Sequence, residues 1–289
     1  MANISNEDTV TTGANFIPEV WSALVIEFRE KNLAAAKFFE RRDSEVLSYG
    51  DTIHFPLTTE YTAASYTEGE KLEDKLEANT ESKVDLVVNQ YKVRPFLVSD
   101  MLSKQSKYDK KALNFKNAGY VIAKAVDTAI LDDSANYTNS AVNTAGTSVA
   151  NTDLTQCQYV LDALDVPEED RMWFMHPVVI KDLFDLSGNY FTSIDFTDTK
   201  ALIKGQLQRM LLGSPVVKTT NVPTGTTGSP AATYYKNIYA HKQATGVAMQ
   251  WQPEVQEERS VNFQGDLCNV RALYGIKTLR ANHGVILNR

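Results

Sequence analysis

At 289 residues, with 43% hydrophobic and 22% charged side chains, the chain can bury a substantial core and has the composition of an ordinary folded protein. Its formal net charge of −7 excludes a chain-wide cationic coat for nucleic acid, though not a local basic face. Cys157 and Cys268 form no CxxC pair, which excludes a disulfide framework and points to a reducing compartment; no apolar run approaches the roughly 20 residues of a bilayer span, and the polar start from Met1 to Asp8 is unlike a secretory signal.

Residues 1–15 are polar and rich in Thr and Asn, and read as a loose arm. Phe16-Ile17-Pro18-Glu19 opens a helix, since proline suits a first helical turn, and Trp21, Leu24, Val25, Phe28 and Leu33 place an apolar stripe on it. Arg29, Lys31, Lys37, Arg41 and Arg42 accompany its later part. They fit either a solvated helix face or one turned toward phosphate.

From Tyr49 to Leu97 the chain reads as extended. Thr52 to Leu57 alternates as a strand, and Val84 to Val88 and Tyr91 to Leu97 alternate again. Between them lies a charged stretch from Glu68 to Glu77. Seven carboxylates (Glu68, Glu70, Glu73, Asp74, Glu77, Glu81, Asp85) stand against three lysines (Lys71, Lys75, Lys83), a local net of −4. A two-armed hairpin with arms of roughly 15 residues would reach about 50 Å at about 3.3 Å per residue. A compact chain of this length has a radius of gyration of only about 19 Å. An isolated ribbon is marginally stable in water, so the hairpin is expected to lie on another body, most simply a second copy.

A long helix follows, expected from about Lys107 to Asp132, with Phe115, Ala118, Gly119, Ile122, Val126, Ala129 and Ile130 at three- and four-residue steps. Ala118, Gly119, Ala123 and Ala125 would admit a close neighbour. Residues 134–153, rich in Ser, Asn, Thr and Ala, read as a loop and domain boundary. Beyond it come a helix opened by Asp153-Leu154 and stopped by Pro167, a buried strand at Met172–Met175, a helix from Val178 to Leu186, and a turn at Leu211–Ser214 feeding a strand through Val217. Pro223 to Pro230 reads as a flexible exposed loop; strands are expected at Tyr234–Ala240, Gly246–Trp251, Val270–Leu279 and Gly284–Leu287.

Catalytic signatures are missing. There is no GxxxxGK[ST] phosphate loop, GxGxxG turn, HExxH helix or GxSxG elbow. His54, His176, His241 and His283 fall in four different expected elements, and His176, before a proline after a buried strand, reads as structural. Cys157 and Cys268 read as inert core thiols. The acidic clusters Glu73-Asp74, Glu168-Glu169-Asp170 and Glu257-Glu258 mark solvated turns rather than an acid–base pair. No catalytic, cofactor-binding or metal-binding residue is assigned, and no enzyme is expected.

The order of elements carries more than any motif: polar arm, helix, charged-tip hairpin, long helix, mixed region, closing strands. This order resembles the major capsid proteins of tailed bacteriophages, which share the Hong Kong 97 phage fold. Phe16 through Phe38-Phe39-Glu40-Arg41 resembles their N-arm helix. Asp165-Val166-Pro167 through Arg171 to His176-Pro177 resembles their helix, "VP…R", apolar strand, proline segment. Leu212-Gly213-Ser214-Pro215-Val216 resembles a turn near the end of their axial domain, and Gly275 with Gly284-Val285-Ile286 their closing strands.

The resemblance implies an α+β fold with an N-arm (1–48), an extended E-loop hairpin (49–97), a peripheral domain around a spine helix (98–139 with about 241–289) and an axial domain (140–240). It implies a coat protein that forms pentamers and hexamers of an icosahedral shell around phage double-stranded DNA, assembled in a bacterial cytoplasm and retained in the virion. Expected partners are other copies, a portal, a separate scaffolding protein, weakly held DNA and a decoration protein on some shells; no membrane and no cofactor are expected. Expected inter-subunit contacts are Glu68, Glu70, Lys71, Glu73, Asp74 and Lys75 at the E-loop tip, and candidate DNA-facing residues are Arg29, Lys37, Arg41 and Arg42. Some members of the family cross-link an E-loop lysine to a neighbour's asparagine; no asparagine here matches the acceptor, so no covalent link is expected. An encapsulin-like compartment enclosing a cargo enzyme is the alternative.

Overall fold

The structure is a computed structural model and describes residues 33–46, 50–58, 63–75, 81–106, 109–185, 210–227 and 232–289. The helix expected from Phe16 lies outside the described residues except for its last stripe position, Leu33.

The described chain opens with α1 (Ala35–Phe38), β1 (Glu40–Arg41) and α2 (Asp43–Val46). Strands β2 (Thr52–Thr58) and β3 (Glu81–Val87) pair antiparallel, Thr52 opposite Val87 and Thr58 opposite Glu81. This is the root of the expected hairpin, with a different closing strand. The closing run Tyr91–Leu97 is no part of its arm: after two residues the chain enters β4 (Gln90–Ser99), which pairs instead with a strand near the C-terminus. Among the described residues each paired arm has seven residues and spans about 23 Å, and residues 59–62 and 76–80, between these strands and the turn, lie outside the described residues. The root has its own core. Ile53, Leu86 and Val88 are buried with Ala248, against Phe55 and Leu273.

A short helix, α3 (Asp100–Gln105), follows, capped by Ser99 Oγ, which accepts from the Leu102 amide at 3.3 Å. The long helix, α4 (Lys110–Asp132), starts where Asp109 Oδ1 accepts from the Ala112 amide at 3.0 Å and ends at the expected residue. Its buried stripe, Ala118, Ile122, Val126 and Ile130, repeats every four residues. Gly119 is not the close-approach point its size suggests: a Cβ there would meet nothing within 4 Å.

Next come α5 (Asn151–Asp162), β5 (Arg171–Met175), α6 (Pro177–Asp185), β6 (Met210–Leu211), β7 (Ser214–Lys218), β8 (Thr224–Thr227) and β9 (Ala232–His241). Strand β8 corrects the expected exposed loop at Pro223–Pro230. Residues 224–227 pair with β9, and Gly225 lies under the Tyr234 ring, where a Cβ would come within 2.4 Å. Turn-forming residues concealed a strand because the glycine is needed for that ring. The chain closes with β10 (Thr245–Ser260), β11 (Gly265–Thr278) and β12 (Gly284–Asn288). β10 runs nine residues beyond the expected Trp251, through register shifts flanking Trp251 and Pro253, so that a proline sits at a bulge in the longest strand.

Two main sheets result. One has the order β1-β10-β11-β4, leaving β4 at an edge; the other has the order β12-β9-β5-β7-β6, with β8 also on β9. The second sheet separates two cores. Phe174, Ile238 and Ala240 point to the core built on α4, with Val247, Val270 and Tyr274 of the first sheet. The intervening Trp173, Met175 and Tyr239 point to the core under α5 and α6. Trp173 and Tyr239 stack at 4.0 Å between centroids. Residues 284–288, expected with the 98–139 region, hydrogen-bond to β9, and Val285 and Leu287 enter the second core.

Buried polar groups tie these layers. Asp127 on α4 accepts from the Ala35 and Ala36 amides at 2.8 and 3.3 Å and from Asn221 Nδ2 at 3.1 Å, fixing α1 to α4. Burial pushes its carboxyl above the ordinary value despite those bonds. Arg171 of the "VP…R" run is 2% exposed. It donates to the Pro167 carbonyl at 2.8 Å and to Asp162 at 2.6 Å, and also to the Val166 carbonyl, so it holds the turn after α5.

Candidate assembly surfaces

The expected tip residues Glu68, Glu70, Lys71, Glu73, Asp74 and Lys75 all lie in the exposed stretch 63–75, at the end of the hairpin. Gly69, at φ +98°, makes the turn, and Leu72–Lys75 forms one 3₁₀ turn. Lys75 pairs with Glu70 at 3.0 Å, and the Glu70 amide donates to the Thr67 carbonyl at 3.1 Å. Glu68, Lys71, Glu73 and Asp74 have no ion pair among the described residues, which leaves surplus negative charge at the turn. Exposed Tyr66 and Leu72 flank it. Along the arm, Asp85 binds His54 at 2.5 Å and Lys83 at 3.2 Å, and the His54 bond lowers its carboxyl pKa.

The candidate DNA-facing residues are less uniform. Arg29 lies outside the described residues. Lys37 is exposed at the end of α1. Arg41 pairs with Asp43, and Arg42 pairs with Glu40 and with Glu45 at 3.1 Å. Two guanidiniums therefore face three carboxylates, and this patch carries no surplus positive charge.

One surface was not foreseen in the sequence. The first sheet is covered by α4 on one face. On the other, the hairpin root covers only the Leu273–Gly275 end. The cross-strand register then leaves Tyr91, Val93 and Leu97 of β4, Leu267 of β11 and Trp251 of β10 on one bare face. They are 38 to 50% exposed. Trp251 meets the Tyr91 ring edge-on at 6.0 Å and carries the Arg271 guanidinium 4.4 Å above it. The row from β10 on this face adds Glu254, Gln256 and Glu258. The signal was present as alternation in Tyr91–Leu97, but it marked the outer face of a sheet rather than a hairpin arm. An antiparallel sheet commonly turns a polar face to water, and these exposed apolar side chains depart from that pattern.

The four histidines are not all apart. His241 and His283 meet edge-to-face at 5.5 Å, both buried, where the two sheets join. Burial lowers both pKa values, His283 to about 4, with Arg280 and Arg171 nearby. His176 stacks on Tyr235 at 3.7 Å and accepts from the Val178 amide at 3.3 Å, a structural role at the start of α6. Both cysteines are buried and free, and burial raises their thiol pKa values. Among the described residues there is no cluster of His, Cys, Asp and Glu suited to a metal, and no helix is long and apolar enough to cross a membrane.

No protein-family model matches the chain, and no curated protein does. Solved structures do match over nearly its whole length. A structure from Mycobacterium phage Che8 aligns with a TM-score of 0.77 and 22% identity, covering 94% of this chain and 97% of that one. The capsid structure of cyanophage P-SCSP1u aligns with a TM-score of 0.72 and 17% identity, covering 99% and 96%. The mature capsid of bacteriophage PhiM1 gives 0.71 and 14%, covering 94% and 91%. The chain therefore has the α+β fold of phage capsid subunits, in keeping with the Hong Kong 97-type fold that its element order resembles.

Proposed function

We propose that this chain is the major coat subunit of a bacteriophage, a structural protein rather than an enzyme, forming pentamers and hexamers of a closed icosahedral shell around double-stranded DNA. The observation that carries the reading is a capsid-subunit fold along the whole chain that leaves a charged arm and an apolar sheet face uncovered. Both surfaces suit repeated contact with copies of the same chain. An exposed ion pair contributes only about 0–1 kcal/mol. Repetition over a shell multiplies such weak terms.

In this reading the first 48 residues are the arm, and the hairpin ending at Val87 is the E-loop. The first sheet with α4 is the peripheral domain. Residues 140–240, joined by β12, form the axial domain around the five- and six-fold positions. DNA contact is weak and directed at phosphate. Lys37 and Arg29 are the stronger candidates, because Arg41 and Arg42 are occupied by carboxylates. A portal and a separate scaffolding protein complete the assembly, and a decoration protein joins the outside where a further gene supplies one.

Negative-stain electron microscopy of the protein, expressed with its neighbouring genes, tests the reading. Closed shells hundreds of ångströms across are expected. DNA within them supports a virion, and a packaged enzyme supports an encapsulin-like compartment. Small uniform oligomers in the presence of a scaffold would overturn the shell altogether.

A further inference from the structure

Two stretches of this acidic chain carry no carboxylate, and the fold sets them side by side. From Leu86 to Ser99, a span that contains β4, the charged residues are Lys92 and Arg94; from Lys110 to Val126, most of α4, they are Lys110, Lys111, Lys116 and Lys124. Phe96 of β4 and Phe115 of α4 meet edge-on at 4.9 Å and hold the strand to the helix. Lys92 and Arg94 stand on the same side of β4 as Phe96, by strand alternation. Beyond the ring contact an open groove of about 420 Å³ runs between the two elements, with Gln90 and Lys92 on one side and Val121, Lys124 and Thr128 on the other. Lys110, Asn114, Asn117, Val121, Lys124 and Thr128 follow one another at three- and four-residue steps, so they share one stripe of α4. From Lys110 to Lys124 that stripe is about 21 Å long. Lys92, Arg94, Lys110 and Lys124 have no ion pair among the described residues, unlike Lys111, which reaches Glu257 at 2.9 Å and Asp266 at 3.4 Å. The groove's carboxylate, Asp132, lies at its far end and faces Lys236 of β9.

We infer that this seam binds the phosphate backbone of double-stranded DNA, without regard to base sequence. The inference rests on the shell reading and goes beyond it by naming a contact surface on the body of the subunit. Duplex DNA carries one negative charge per about 1.7 Å of its axis, so a basic track of this length faces a continuous row of acceptors. Lysine, arginine, asparagine and threonine side chains hold phosphate oxygens, and all four types lie along the seam. Three observations set other occupants aside. A protein partner needs an apolar centre; the seam exposes Val121, whereas the exposed apolar row of this sheet lies on its opposite face. An added β-strand is opposed by Pro95, which has no amide hydrogen to give at this edge, and by Lys92 and Arg94 beside it. A single strand is held by stacking on exposed rings, and Tyr274, the aromatic residue of the groove, is wholly buried. Guarding the edge of β4 explains Lys92 and Arg94 alone, and leaves Lys110 and Lys124 of the helix unexplained.

Lysine acetylation of particles of the natural sequence, filled with DNA or empty, tests the inference. Lys92, Lys110 and Lys124 should react several-fold more slowly in filled particles than in empty ones. Equal reactivity in the two would overturn it. So would protection confined to particles that still hold scaffold, which would give the seam to a protein. Salt titration supplies the second arm, on dispersed subunits with a short labelled duplex read by fluorescence anisotropy. The logarithm of affinity falls with the logarithm of salt concentration by about 0.9 per phosphate neutralised, so Lys92→Gln with Arg94→Gln and Lys124→Gln should reduce that slope by about 2.7. The reduction should be the same for duplexes of unrelated sequence. Lys181→Gln, which removes an exposed lysine of α6, should leave the slope as it is. An unaltered slope in the triple variant, with its unfolding temperature kept, counts against the seam. Should the triple variant unfold early, acetylation of the natural particles decides. If no closed particle forms from the natural sequence, the shell reading fails by itself, and the titration still decides whether the seam holds DNA.

Discussion

Acid should loosen this protein at a defined joint. His283 lies in the short turn Ala281–His283 that carries the chain from the first sheet to the second, and His241 ends β9 beside it. Both are 6% exposed. The His241 Nδ1 accepts from the Gln243 amide at 3.2 Å, whereas the His283 Nδ1 has no partner among the described residues. Desolvation is the main reason the His283 pKa falls to about 4, and Arg280, His241 and Arg171 add positive charge around it. Asp170 and Glu40 face the His241 side and oppose the effect only there. The folded state keeps the His283 ring neutral, while the unfolded chain protonates it near pH 6.5. Stability from this residue is therefore complete above about pH 6.5, falls as the pH drops, and levels off below about pH 4. The loss amounts to about 3 kcal/mol. Urea unfolding of dispersed subunits, followed by tryptophan fluorescence from pH 7 to pH 4, measures it. His283→Asn should lower stability at pH 7 and lose about 3 kcal/mol less than the natural protein across that range. Identical pH slopes for the two proteins would refute the reasoning.

Three further outcomes are expected. Asp127→Ala strands the Ala35 amide and Asn221 and should cost about 1–3 kcal/mol, read as a lower thermal midpoint. Gly275→Ala places a Cβ 2.4 Å from the Val87 carbonyl oxygen, where only backbone can yield. It should cost about 1–3 kcal/mol and speed proteolysis within residues 63–75, whereas Gly119→Ala, with open space around it, should stabilise α4 by up to about 1 kcal/mol. Glu73→Lys with Asp74→Lys should leave the unfolding free energy of the subunit within about 0.5 kcal/mol while reducing particle yield, because both side chains are exposed and neither has an ion pair among the described residues.

The elements with local causes were legible in the sequence. The stripe of α4, its end at Asp132 and the buried strand at 171–175 follow from periodicity and apolar runs. Partners across long sequence separation were not legible. Tyr91–Leu97 alternates equally well as a hairpin arm or as an edge strand, and only pairing with β11, about 170 residues later, decides between them. The β10 extension was hidden by Glu254 to Arg259, whose polarity reflects an exposed strand end; Lys111, in the first turn of α4, reaches Glu257 there at 2.9 Å. The charged run from Glu68 to Lys75 was legible as an exposed turn from composition alone, because such a turn needs no distant partner to form.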